Sequence, residues 1–250
     1  MKNNIHIKQT TSTNQLIWEM NREKELPEGY VVSTGFQLAG KGQPGNAWES
    51  SEGKNLLFSM VLRPLQLPME ELFLLSQLVS VAIKNTLEVY TSNVTIKWPN
   101  DIYWNDKKLA GILIENSLQG NKIKMVVIGV GLNVNQQVFT SNAPNPVSLM
   151  QITGKRKNRK QILQQLIKNI MDLYSEMNLV KIRSLYSESL YRKEGYHAFK
   201  DDNGYFEAKV YDIHSDGQLE LEKDTGKRKS YYFKEVQYIL PTIPKNVTED

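Results

Sequence analysis

After Gly195 the hydrophobic pattern changes character: short alternating runs are separated by Asp201-Asp202-Asn203-Gly204, Ser215-Asp216-Gly217 and Asp224-Thr225-Gly226. Each of these turns carries residues that tolerate positive φ between two runs of period two, which is how tight hairpins are written. Three of them in succession leave room for little besides antiparallel β structure. Residues 194–250 are therefore expected to form a separate, small antiparallel β barrel of about 50 residues.

Residues 1–193 mix both periods and read as one larger α+β domain. Thr11-Ser12-Thr13-Asn14 precedes Leu16, Ile17 and Met20, so a hydroxyl cap opens a helix that runs to about Lys24. Tyr30 to Phe36 is a strand, Gln37 to Gly53 a polar, Gly-rich loop, and Asn55 to Leu62 a second strand. Pro68 opens an amphipathic helix through Leu75, Leu78, Val79, Ala82 and Leu87. Strands at Val94–Trp98, Leu109–Ser117 and Ile123–Val134 follow, the last two joined across Gly120, with Pro99–Lys107 between them read as turn. A helix through Ile162, Leu166 and Ile170 and a further helical segment to about Arg192 complete the domain.

Composition narrows the chemistry. With no Cys in 250 residues, disulfides, thiolate metal sites and a cysteine nucleophile are excluded, and a reducing, cytoplasmic setting is expected. The longest apolar stretch, Leu72 to Ile83, is interrupted by Ser76, Gln77 and Ser80, so no membrane span is expected. A net charge of +4 is too small to require a nucleic-acid partner. His6, His197 and His214 show no arrangement with Ser and Asp that would make a nucleophilic triad.

Three segments are candidates for a ligand site. Gly40-Lys41-Gly42-Gln43-Pro44-Gly45 satisfies G-x-G-x-x-G, but a strand rather than a helix follows it and Pro44 lacks an amide donor, so the dinucleotide reading fails. What remains is close backbone approach beside the cation of Lys41. Lys97, in Lys97-Trp98-Pro99-Asn100-Asp101, lies on the strand face opposite Val94, Ile96 and Trp98, where a fixed cation steadies carboxylate or phosphate oxygens. Gly129 and Gly131 weaken a strand interior unless something must come close.

Taken together, Ser12-Thr13-Asn14, Gln37, Ala39-Gly40-Lys41-Gly42, Trp48, Lys97 to Asp101, Lys108 to Leu113 and Ile128 to Asn133 resemble, in order and spacing, the catalytic domain of biotin protein ligases. The resemblance implies a class II synthetase-like domain, with a mixed, largely antiparallel sheet flanked by helices, followed by an SH3-like β barrel. It implies a reaction in two steps: biotin and ATP give biotinyl-5′-AMP, and a lysine of a biotin carboxyl carrier protein, in acetyl-CoA carboxylase or a related carboxylase, then takes the biotinyl group. Mg²⁺ is expected on the ATP phosphates.

By the same resemblance Lys97 is the catalytic residue. Ser12, Thr13, Asn14, Gln37, Lys41, Gly42, Trp48 and Gly111 are expected to bind biotin, and Gln43, Gly129, Gly131 and Asn133 the nucleotide. The family loop is rich in arginine, whereas Lys41, Gln43, Pro44 and Asn46 stand here, so its grip on phosphate rests on amides and a single ammonium group. Because the motif starts at Thr11, no N-terminal DNA-binding helices are expected, and the protein is read as a monomer or homodimer that binds neither DNA nor membrane. Two other readings stay open: a lipoate or octanoate ligase of similar architecture, and a non-catalytic nucleic-acid module using Lys155, Arg156, Lys157, Arg159 and Lys160 with Tyr231-Tyr232-Phe233.

Overall fold

A computed structural model describes residues 4–43, 45–141, 143 and 145–240; Pro44 and residues 241–250, part of the expected barrel segment, lie outside the described residues. The chain divides into two compact units between Tyr191 and Arg192.

The first unit is built on a seven-stranded sheet. Its strands are β1 (Asn4–Thr10), β2 (Val31–Gln37), β3 (Leu56–Leu62), β4 (Val94–Lys97), β5 (Asp101–Trp104), β6 (Lys107–Gln119) and β7 (Lys122–Leu132). They lie in the order β1-β2-β3-β7-β6-β5-β4, and every pairing is antiparallel except β1 with β2. The expected mixed, largely antiparallel sheet is therefore present. Sequence reading missed β1 and β5, and assigned the residues of β5 to turn.

Helix α1 (Thr13–Glu23) starts at Ser12, whose extended backbone and carbonyl, bonded to the Leu16 amide at 3.0 Å, make it the cap residue, but the expected hydroxyl cap is not made, since its side chain makes no capping hydrogen bond. Its Ile17 is fully buried against Val32, Val61, Met125 and Val127, so α1 lies on one face of β2, β3 and β7. On the other side α2 (Phe73–Leu87) packs between β4, β5 and β6 and the helices α4 (Arg159–Glu176) and α5 (Leu179–Glu188). A buried helix must be apolar nearly all round, and the α2 run from Leu74 to Ile83 is buried without a break. A short helix not read from the sequence, α3 (Leu149–Thr153), is closed by a capping box between Ser148 and Gln151 and stops at Gly154 with φ 66°.

The second unit is one antiparallel sheet, β11-β10-β9-β8-β12, formed by β8 (His197–Asp201), β9 (Gly204–Ile213), β10 (Leu219–Glu222), β11 (Arg228–Tyr231) and β12 (Gln237–Tyr238). All three turn signals fall at hairpin turns: β8 to β9, β9 to β10 and β10 to β11. Phe199 packs at 4.8 Å from Tyr238 and 5.9 Å from Phe206, which stacks in turn on Tyr231, and these rings with Leu219 and Leu221 form its core. Among the described residues β11 and β12 do not pair, so the expected barrel is seen as a curled sheet with that seam open.

Candidate active site

One line of residues in direct register crosses the sheet of the first unit: Thr34, Leu57, Gly131, Gly111, Asp101 and Lys97, each paired with the next. Residues opposite one another in neighbouring strands project to the same side. Two positions in the middle of this line carry no side chain, and a broad indole fills the room. A Cβ on Gly131 would lie 2.4 Å from Trp48 Cε2, and one on Gly111 would lie 2.9 Å from Trp48 Cζ3. Trp48 reaches this spot because residues 45–48 run back alongside residues 40–43. The Trp48 amide donates to Gly40 O (2.9 Å), the Gly42 amide to Asn46 O (2.9 Å), and Lys41 bridges Ala47. Beyond it, Glu49 accepts from the amides of Thr140 and Ser141. These hydrogen bonds draw its carboxyl below the usual carboxylate range, although burial opposes them with the largest single effect.

At one end of this floor is a buried polar cluster. Gln37 Oε1 accepts from the Thr13 amide at 2.8 Å and from Thr13 Oγ1 at 3.1 Å. Ser59 Oγ lies 2.6 Å from Thr13 Oγ1 and 2.5 Å from Asn14 Oδ1. With its oxygen engaged, Gln37 turns Nε2 toward Gly40, where an added Cβ would lie 3.1 Å from it. Ser12, Thr13 and Asn14 are all buried. Gly129 is next along the same face, and what it makes room for is Asn14: a Cβ there would lie 2.3 Å from Asn14 Oδ1. The glycine expected at the nucleotide is thus occupied by a side chain of α1.

At the other end are the charges. Lys108 Nζ pairs with Asp101 at 2.7 Å and lies 5.7 Å above the Trp48 ring, while Lys97 Nζ lies 5.3 Å from the Tyr103 ring. Burial, then the Asp101 charge, pushes the Tyr103 hydroxyl well above the usual phenol range, so it stays a neutral donor. Sequence reading gave a role to Lys97 and quoted Lys108 and Asp101 only as part of the resemblance, without one. Lys108 is the cation in contact with Trp48, and the signal that could have found it is its place three residues before Gly111.

Asn133 is buried beside this face, its amide donating to Leu109 O at 3.0 Å and its Oδ1 3.4 Å from Asn55 Nδ2. Asn55 and Gln136 complete that polar cluster at 2.7 Å. The remaining loop residues, Lys41, Gly42 and Gln43, lie in the turn ahead of Trp48, with Lys41 exposed. The structure thus brings Thr13, Gln37, Trp48, Gly111, Gly131 and Lys97 to one face, with Asn133 set to the side.

The arrangement offers an indole laid on two glycines, with amide and hydroxyl groups at one end and two ammonium groups at the other, suited to a ligand with an apolar middle, a polar neutral head and an anionic tail. Among the described residues no three His, Asp or Glu converge as a metal site, and no helix is long and apolar enough to cross a membrane. The second unit carries nine Lys or Arg against ten Asp or Glu over residues 192–240. Lys209 and Arg228 both pair with Glu222, and Lys229 with Asp201, so these three cations are engaged locally by carboxylates.

Residues 6–133 match the Biotin/lipoate A/B protein ligase family. The chain is 33% identical over 215 residues to the bifunctional ligase/repressor BirA of Bacillus spizizenii, covering 82% of this chain and 65% of the relative. It is 28% identical over 168 residues to the biotin–[acetyl-CoA-carboxylase] ligase of Mycobacterium tuberculosis, covering 66% of this chain and 61% of that one. The chain therefore spans less than two thirds of these curated relatives. Its fold is similar to that of the biotin protein ligase from Aquifex aeolicus in complex with biotin and ATP, with a TM-score of 0.77, 25% identity, and coverage of 96% of this chain and 100% of that one.

Proposed function

Because the chain belongs to the biotin/lipoate A/B protein ligase family, we propose that it is a biotin–protein ligase, using ATP to activate biotin and passing it to a lysine of a biotin carboxyl carrier protein. The observation that carries this reading is the glycine floor under Trp48, polar at the Thr13–Gln37 end and cationic at the Lys108–Lys97 end. Biotin matches it part for part. Its ureido ring has both N–H and C=O groups for Ser12, Thr13 and Gln37, its thiophane ring and valeryl chain suit the apolar indole of Trp48 that lies on Gly111 and Gly131, and its carboxylate falls toward the lysines. A lipoyl or octanoyl chain offers nothing to the Thr13 hydroxyl or to Gln37 Nε2 beyond the bonds these residues already make to each other, and it covers them from water without adding a hydrogen bond, which disfavours it.

In the first step a biotin carboxylate oxygen attacks the α-phosphorus of ATP, the P–O bond to the β-phosphate breaks, and pyrophosphate leaves. Lys108 and Lys97 offset the negative charge brought together there, and the fixed face holds the two reactants in line. Asn133 and the loop residue Gln43 are assigned to the nucleotide side, and Lys41 and Gly42 to biotin. Mg²⁺ accompanies the phosphates of ATP, with Asp101 already engaged by Lys108. In the second step the neutral amine of the acceptor lysine attacks the acyl carbon, AMP leaves, and an amide is formed with loss of the amine proton. No covalent bond to the enzyme is needed.

The test is to incubate the protein with ATP and either biotin or lipoate, measure pyrophosphate, and then add a biotin carboxyl carrier domain and weigh it. Biotin-dependent pyrophosphate and a carrier heavier by one biotinyl group are expected. Pyrophosphate with lipoate alone, or with neither acid, overturns the assignment.

A further inference from the structure

A carboxylate that the reaction does not use stands behind the polar end of the site. Glu115 Oε2 accepts from Asn14 Nδ2 at 2.8 Å and from Trp18 Nε1 at 3.3 Å. The indole N–H is a donor and nothing else, so this oxygen is held as an acceptor, and Asn14 must turn its NH₂ toward it. The carbonyl of Leu113, 3.4 Å from the same Nδ2, favours the same orientation. Asn14 Oδ1 therefore faces Ser59, in the space that Gly129 leaves open.

The consequence runs through the hydroxyl protons. Thr13 gives its hydroxyl proton to Gln37 Oε1, which the Thr13 amide also bonds. Ser59 has one proton and two acceptors within reach, Asn14 Oδ1 at 2.5 Å and Thr13 Oγ1 at 2.6 Å. It cannot serve both. Were Asn14 reversed, its NH₂ would donate to Ser59 and the Ser59 proton would satisfy Thr13; with Asn14 as it stands, the group holds one proton fewer than its acceptors call for. A ligand N–H placed at Thr13 supplies the missing proton, while Gln37 Nε2, which lies beside Gly40, is a donor for a carbonyl.

We propose that Glu115 is a positioning residue for substrate selection: by fixing the Asn14 carboxamide it makes Thr13 an acceptor, so that the site recognises a head group presenting N–H and C=O side by side, as a cyclic urea does. The proposal rests on the biotin reading above, and goes beyond it by assigning specificity to a side chain that touches no substrate atom.

The experiment is a double-mutant cycle on the full chain, with biotin and ATP affinities each measured by calorimetry. Asn14→Asp sets two carboxylates against each other at Glu115 and is expected to weaken biotin binding at least ~10-fold, with ATP affinity kept. Glu115→Gln alone can still turn its oxygen to Asn14 and is expected to change biotin affinity less than about threefold. When Asn14→Asp and Glu115→Gln are combined, the introduced carboxamide donates to the introduced carboxylate, the original polarity returns, and biotin affinity recovers to within about threefold of wild type. Wild-type affinity in Asn14→Asp, or a double variant no better than Asn14→Asp, overturns the role of Glu115. Should Asn14→Asp fail to unfold cooperatively, Glu115→Leu takes its place: it frees Asn14 to reverse, so KM for biotin rises several-fold with kcat at saturating biotin retained, and a fall in kcat at unchanged KM refutes the idea. Gln37→Ala separates the two levels. If it binds biotin normally, the ureido site itself is misplaced; if it loses affinity while the cycle is additive, only the role of Glu115 fails.

Discussion

Adding one methyl group at Gly131 tests whether the floor is shaped for Trp48. The alanine Cβ would lie 2.4 Å from Cε2, 2.7 Å from Nε1 and 2.8 Å from Cδ2 of the indole, whereas carbon atoms in contact sit about 3.5–4.0 Å apart. Either the strand or the indole must give way by about an ångström. Gly131 is paired on both sides, to Leu57 and to Gly111, whereas Trp48 sits on a loop, so the indole moves. A fully buried Trp covers roughly 200 Å², so a half-buried one that swings out loses about 100 Å² of contact, or about 2.5 kcal/mol at 25 cal/mol per Å². A loss of that size should lower the melting temperature by at most about 5–10 °C. Biotin affinity should fall about 30-fold, the equivalent of about 2 kcal/mol. Gly111→Ala, with a single contact of 2.9 Å to Trp48, should lose less, and Gly120→Ala, with nothing within 4 Å, should lose no biotin affinity. The assay is biotin calorimetry together with Trp48 emission, obtained by difference against the same variants carrying Trp48→Phe. Normal biotin affinity and unshifted Trp48 emission in Gly131→Ala would refute the packing argument.

The two lysines should each be needed for the first step. Lys108→Ala, which removes the cation over Trp48, and Lys97→Ala are each expected to slow adenylate formation ~100-fold in a folded protein, and pyrophosphate release close to normal in either variant removes that lysine from the charge-stabilising pair. In the second unit, hydrogen bonding from Lys229 lowers the Asp201 pKa to about 2. An acid whose pKa is depressed on folding stabilises above its unfolded value, near 3.9, and loses that contribution as pH falls through the folded one, so the unit should weaken between about pH 4 and pH 2. Hydrogen exchange of β8 and β11 in that window should show it, and an equal acid response in Asp201→Asn would dismiss Asp201 as the cause. Gln43→Arg, which restores a charged fork in the loop, should lengthen the lifetime of bound biotinyl-5′-AMP in the absence of acceptor; an equal or shorter half-life leaves that contact to backbone amides and Lys41.

Legibility in the sequence followed the range of the interaction. α1, α2 and the hairpin turns of the second unit depend on residues a few positions apart, and their signals stand in the chain as 3.6-residue periods and as Gly-containing turns. β1 depends on a distant partner: Ile5 and Ile7 alternate with His6 and Lys8, too polar a run to announce an edge strand until its parallel pairing with Val32 and Thr34 is known. β5 is four residues between Asn100 and Asn105, and turn-forming neighbours outweighed Ile102 and Tyr103. The site shows the same division. Thr13, Gln37 and Trp48 carry chemistry in their type, whereas Lys108 reaches Asp101 only through a register shift between β5 and β6 that no local pattern encodes. The position of Gly129 under Asn14 likewise exists only after α1 has crossed the sheet.

The bare floor also has a genetic consequence. Every glycine codon is GGN, and each single-base change that still encodes a different amino acid adds at least a Cβ. At Gly129 and Gly131 that atom would fall within 2.4 Å of Asn14 or Trp48, and at Gly111 within 2.9 Å of Trp48. These three codons therefore have no conservative neighbour, whereas Gly120, Gly154 and Gly226, at φ of 60–77° with open space around them, can pass to asparagine through two-base changes without collision. In a growth selection that depends on this protein, a codon-by-codon library should lose nearly all missense alleles at the first three positions and retain asparagine at the second three.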